Sequence, residues 1–272
     1  QYGTLDLENK LCTLTKDVPE TVQVGNFIST TSLSTNPSQT TSEWKNLKIE
    51  GIKYYVDIVG HETTQTLNFD KFTLDGNGHT IIVSAKQCYP NSGNMYAMEV
   101  INSNNHPDSL ILKNFQIDGS AYNCKSSRAG FDNLNLLGII SGSGGLTILN
   151  SEIYGVSHVG ISHQGQLILK NSFIHDIKSN DSGRGTGVGV SYVLSQDSAS
   201  IIENNKISNT DTAISAGANV RITNNEISNN KIGIQGDASR FDEGIISNNI
   251  FKNNKIAIDT EGQTISDNEF IN

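Results

Sequence analysis

The stretch "VRITNNEISNNKIGIQGD", residues 220–237, holds two short alternations of Ile with polar residues, each closed by a pair of asparagines, and then a Gly-Ile segment. Its apolar period is two, which makes the pieces strands rather than helices. The same template recurs in "LTILNSEIYGVSHVGIS" (146–162), "LILKNSFIHDIKS" (167–179), "ASIIENNKISNTDTAIS" (199–215), "GIISNNIFKNNKIAID" (244–259) and "QTISDNEFIN" (263–272). Asn204, Asn224 and Asn248 are spaced by 20 and 24 residues, and Ile214, Ile234 and Ile258 by the same 20 and 24. Two independent markers keep one register.

A repeat of 20–24 residues predicts a solenoid. Leucine-rich repeats have a similar length, but their Leu-x-x-Leu-x-Leu signature and helical return are absent. What remains is an all-β coil of three short strands. Stacked about 4.8 Å apart, such coils pair every strand with its counterpart above and below. Inward Ile and Val meet their equivalents in the next coil, and asparagines at equivalent corners form hydrogen-bonded ladders. Residues 1–46, with "STTSLSTNPSQTTSEW", break the template. They are expected to form an irregular N-terminal cap with Trp44 in its packing, leaving 47–272 as the solenoid. The sequence stops in mid-coil at "SDNEFIN", an open edge suited to self-assembly or to a partner.

The "NN-x-I-x-N-N-x-x-G-I" coils resemble the right-handed parallel β-helix, or pectate-lyase-like, superfamily, and its NosD-like repeat proteins in particular. The resemblance spans 110–272, with "NLKIEGIKYYVDI" and "LNFDKFTLDGNGHTIIV" extending it over 47–83. It implies fold more than function, since the superfamily includes lyases, hydrolases, epimerases and adhesins. The polygalacturonase pattern fails: "NTD" stands at 209–211, but neither Asp-Asp nor Gly-His-Gly occurs. Mannuronan epimerase and alginate-lyase-like modules are more similar. Their Tyr-Gly-x-Asp-Pro-His segment is matched by "VGISHQ" (159–164), which keeps His163 and has Val159 and Ser162 at the other two places.

Composition narrows the partners. Charged residues are 17% of the chain, hydrophobic residues 35%, with 25 Gly and 4 Pro, as in a folded, turn-rich polar protein. A formal net charge of −9 without a basic stripe excludes nucleic acid. No apolar run of 18 residues suggests a membrane span. The chain opens on Gln1, which suggests processing, so an extracellular or cell-surface location is expected. Cys88 and Cys124 sit in turn-rich insertions where they are expected to pair, leaving Cys12 odd. The sequon Asn180-Asp181-Ser182 fits export.

Chemistry is expected in two places. Aligned corners put Asp75, Asp118, Tyr154, His175, Ser208, Ser228 and Lys252 in one outward column, where a carboxylate, a phenol and an imidazole at strand spacing could neutralise, protonate and deprotonate a sugar. The plain alternative is a solvated face. The second place is the loop-rich 154–192 region, which gathers Tyr154, His158, His163, His175, Arg184 and Tyr192 as candidate catalytic groups. His163 or His158 would be the base, Tyr154 or Tyr192 the acid, and Arg184 the carboxylate contact. Gly160, Gly187 and Gly189, expected to face outward, would leave room for a glycan, with Asp118 and Lys178 also in contact. The plain alternative here is an insertion between coils. "TLDGNGHTI" (73–81) reads as a structural turn, and "GRGTGVG" precedes no helix that could hold phosphate. The expected function is a polysaccharide-binding β-helix that cleaves or epimerises an acidic glycan, with calcium as a candidate ion. The alternative is a structural or adhesive surface protein assembling through its last coil.

Overall fold

The computed structural model describes residues 2–6, 8–19, 22–25, 27–29, 66–68, 71–83, 94–101, 110–122, 135–142, 144–179, 187–192, 199–217, 219–236 and 244–272. Among them there is no helix, and three sheets of ten, eight and eight strands run side by side. One coil shows the plan. Leu146–Leu149 lies in the first sheet, Glu152–Tyr154 in the second and Val159–His163 in the third. The next coil repeats it with Leu167–Lys170, Phe173–His175 and Val188–Tyr192, each strand pairing in parallel with its predecessor. The third-strand isoleucines pair Ile214 with Ile234 and Ile234 with Ile258, as the spacing predicts.

The solenoid starts earlier than the expected boundary at residue 46. Leu11–Leu14 pairs in parallel with Phe72–Asp75, Val18 bridges Ile81, and Val22–Gly25 pairs with Asn94–Ile101, so 11–25 already forms a coil. Gly3–Asp6 lies antiparallel on Leu11–Leu14 and covers that edge of the first sheet, blunting a template for unwanted strand addition.

From Leu146 on, strands of three to five residues are joined at corners that asparagine makes tight. Asn150, Asn171, Asn204, Asn224 and Asn248 turn the first corner with φ between 49° and 59°, and Asp176, Asn209, Asn229 and Asn253 turn the second with φ between 54° and 58°. Among non-glycine residues, Asn and Asp tolerate this left-handed conformation best. The ladder expected at Asn204, Asn224 and Asn248 is displaced by one residue. The first asparagine of each pair turns, and the second, buried, stacks: Asn205 Nδ2 donates to Asn225 Oδ1 (3.0 Å), Asn225 to Asn249 (2.9 Å) and Asn249 to Asn268 (3.0 Å). Each ladder amide also donates to a main-chain carbonyl of the preceding coil, Asn225 to Ile202 at 2.9 Å. Thr210, Asn230 and Asn254 build a second ladder at the second corner. Earlier coils replace the ladder asparagine by Ser151 and Ser172, and the chain of bonds continues through their main-chain amides, Ser151 N donating to Ser172 Oγ and Ser172 N to Asn205 Oδ1. Inside, Ile153, Ile174, Ile207 and Ile227 stack in one buried file, each worth roughly 1.5–3 kcal/mol of hydrophobic transfer.

Candidate functional site

The column is real in register, but Ser208 and Ser228 within it are buried. Asp118, Tyr154, His175, Ser208, Ser228 and Lys252 occupy equivalent places on successive strands of the second sheet. Asp75 does not belong to it; Ile82 holds that place. Asp75 ends the first-sheet strand Phe72–Asp75 because the turn Gly76–His79 follows it before the second-sheet strand Thr80–Ile82 begins. There it accepts from the Asn77 amide (2.9 Å) and Asn114 Nδ2 (3.0 Å) and pairs with Lys113 Nζ (3.1 Å), a structural turn as the phrase "TLDGNGHTI" suggests.

Around Tyr154 and His175 the column becomes an aromatic patch rimmed by carboxylates. The Tyr154 and His175 rings stack in parallel, centroids 5.1 Å apart and 4° from coplanar, and Phe173 stacks on His175 at 4.0 Å. The in-register pairing at coil spacing imposes that stack. His175 Nδ1 meets Asp176 Oδ2 at 2.7 Å and Nε2 meets Glu152 Oε1 at 3.1 Å, so both ring nitrogens are committed to carboxylates. Burial, and next the adjacent Asp118 carboxylate, pushes the Tyr154 phenol up; it keeps its proton and is suited to donate. Asp176 belongs to the cluster that the sequence gathers in 154–192, whereas Glu152 and Phe173 were missed, although "EIY" and "FIH" place both outward by simple alternation.

The 154–192 region does not converge as expected. His163 is wholly buried, because Ile161, Ser162 and His163 alternate in, out, in. Its Nε2 lies 3.1 Å from the Gln166 carbonyl, and burial pushes its pKa down to about 4. A glycan on the outer surface does not touch it, so the expected base is withdrawn. His158 is partly buried, which lowers its pKa as well, and its carbonyl accepts from the Val188 amide. Tyr192 closes the third-sheet strand opposite His163.

The glycines also face the other way. A Cβ on Gly160 would stand 2.5 Å from the Gly189 carbonyl oxygen and 3.1 Å from Ile174 Cγ2, and one on Gly189 would stand 2.6 Å from the Ala213 oxygen. Both point inward against the next coil, so they let coils approach and open no cleft. Gly187, with φ +54°, packs where a Cβ would meet the Asp211 carboxylate at 2.2 Å. Arg184, Cys88, Cys124, Trp44 and the sequon lie outside the described residues. Cys12 is a buried free thiol that burial pushes up to about 11.

Lys178 is exposed and lines a groove along the second corner, with Asn209, Asp211, Asn229, Lys231, Asn253 and Lys255. On the first two sheets three lysines meet carboxylates, Lys113 with Asp75, Lys170 with Glu203 and Lys206 with Glu226, while Lys252 forms no ion pair among the described residues. In the second-corner groove only Lys231 meets a carboxylate, that of Asp211. Among the described residues Lys178 and Lys255 form no ion pair. The signal for Lys231 and Lys255 was present, since their spacing of 24 equals that of Ile234 and Ile258. Among the described residues no three His, Cys, Asp or Glu side chains are grouped to hold a metal ion, so the calcium expectation finds no ligand set there, and no helix is long and apolar enough to cross a membrane.

No curated protein and no solved structure matches this chain. A family model described as "Right handed beta helix region" matches residues 135–272, just over half of the sequence. That span holds the asparagine ladders, the aromatic patch and the lysine groove, and the chain belongs to the right-handed β-helix family.

Proposed function

We propose that this β-helix binds a linear acidic polysaccharide lying along the second-corner groove, with Lys178, Lys231 and Lys255 as its cationic contacts. One observation carries the reading: lysines stand at this corner in three of four successive coils, with Asp211 at the equivalent place in the coil between Lys178 and Lys231, and two of the three have no carboxylate partner among the described residues. A polymer with regularly spaced anions is a natural counterpart to donors repeated at coil spacing. Side-chain amides of Asn209, Asn229 and Asn253 line the same groove and supply hydrogen bonds to sugar hydroxyls. The aromatic patch suits uronates poorly, since Asp118, Glu152 and Asp176 surround it. The reading is therefore one of binding rather than lyase or epimerase turnover, and it fits an extracellular or cell-surface location.

The test is affinity electrophoresis through gels containing alginate, pectate or neutral dextran. The two acidic polymers should retard the protein and dextran should not. Exposed charge contacts are worth about 0.2–1 kcal/mol each, so Lys178→Ala with Lys255→Ala should weaken binding several-fold, and added salt should do the same. Equal retardation of wild type and double variant would sink the groove. A rise in unsaturated-product absorbance would refute the restriction to binding.

A further inference from the structure

The third corner of the coil at 141–167 holds buried polar atoms that nothing above uses. His163 is completely enclosed, and since Nε2 faces the Gln166 carbonyl, Nε2 carries the proton and Nδ1 presents a lone pair. Nδ1 has no hydrogen-bond partner, and neither has the buried hydroxyl of Ser141, its register neighbour on the preceding strand. The Gln166 carbonyl that holds the ring also accepts the Leu146 amide at 2.9 Å, and Gln164 N donates to the Gly142 carbonyl at 3.3 Å. Those bonds join two coils at a corner with little side-chain packing: a Cβ on Gly165 would lie 1.9 Å from the Gly144 oxygen, so backbone rests on backbone.

The groups around the ring cannot balance a charge. They are Ser141, its register neighbour on the preceding strand, and the main chain of Gly144 and Gln166. The register neighbour on the following strand is Tyr192. No charged side chain among the described residues acts on His163. A second proton at Nδ1 would leave a buried cation with no counter-charge, which is stable only if the ring reaches water.

We propose that this corner is an acid-sensitive latch: protonation of His163 drives the ring out, releases the Gln166 carbonyl, and unfastens the Leu146 joint between adjacent coils. The latch is closed while the imidazole is neutral, and the direction of its pKa shift agrees.

Hydrogen exchange of the Leu146 amide in the full chain, corrected for the intrinsic pH dependence, tests it. Because one proton is taken up on opening, the opening equilibrium should rise by up to about tenfold per pH unit below pH 6. The Glu226 amide, held by the Asn205 carbonyl at the first corner, should not follow. His163→Gln and His163→Phe should both remove the dependence, and Ser141→Ala should keep it. A flat wild-type profile, or the same slope in both His163 variants, overturns the proposal. If neither variant folds, the wild-type ring nitrogens decide it. A titration tracking Leu146 opening supports the latch, and one at the ordinary histidine value with no change at Leu146 refutes it.

Discussion

A pair of identical residues can carry two unlike duties, and the asparagine doublets do. Asn224 is needed for its backbone, held at φ 59°, whereas Asn225 is needed for its amide, which accepts from Asn205 and donates to Ile202, Thr223 and Asn249. Asn224→Gly should therefore be nearly neutral and Asn224→Val should cost about 1–2 kcal/mol of left-handed strain. Asn225→Ala, which orphans several buried groups, should cost about 2–5 kcal/mol. Urea denaturation of the three variants separates the two duties, and equal losses at 224 and 225 would contradict the division. At Tyr154 the neighbouring Asp118 carboxylate reinforces the effect of burial in raising the phenol. Asp118→Asn should lower the Tyr154 titration midpoint, read by ultraviolet difference absorbance, without restoring the free value. The enclosure of His163 was open to reading, since it stands two places after inward Ile161. The motif resemblance drew attention to its chemistry instead of its phase.

At the level of strands, the sequence carried most of the architecture. The repeat spacing of Ile214, Ile234 and Ile258 and the file from Asp118 to Lys252 are physical consequences of period two and constant coil height. Errors arose where a corner resets the alternation. Asp75 belongs to the first sheet because a four-residue turn follows it, and Gly160 turns inward although it precedes inward Ile161. Corners lack the period-two alternation that sets inward or outward phase, so that phase was not legible, and charge pairing across coils, which separates Lys178 from Lys170, exists only once strands are stacked. Gly160→Ala should cost about 1–3 kcal/mol through crowding against the Gly189 carbonyl. It should leave glycan retardation unchanged, because the residue faces the interior. Loss of retardation in a folded Gly160→Ala protein would restore an outward role.

For the whole molecule, stability is a sum over coils and their interfaces. Ala216 and Gly236 are register equivalents, so deleting 217–236 removes one coil and rejoins the chain in phase. That protein should keep a β-type circular dichroism spectrum and a cooperative melt, whereas deleting 217–226 should abolish both. Acid should act through His163. Its folded value is depressed from 6.5 to about 4, so below pH 6.5 the unfolded chain takes up a proton that the folded chain refuses. Stability should fall by about 3 kcal/mol between pH 6.5 and 4 and then level for this group. Asp75 and Asp211, whose pKa values are lowered from 3.8, lose their contributions only as pH falls further. Denaturation midpoints across pH 4–7 should show that slope, and His163→Phe should lack it.

The ladder also has a direction. The main-chain amides of Ser151, Ser172, Asn205, Asn225 and Asn249 all donate to the side chain of the following coil. From Asn205 to Asn268 the side-chain amide dipoles are therefore parallel, each polarising the next. A file of aligned dipoles has unlike ends, acceptors toward the first coil and donors toward the last. A coil offered upside down would meet donors with donors, so the stack can be extended in only one sense.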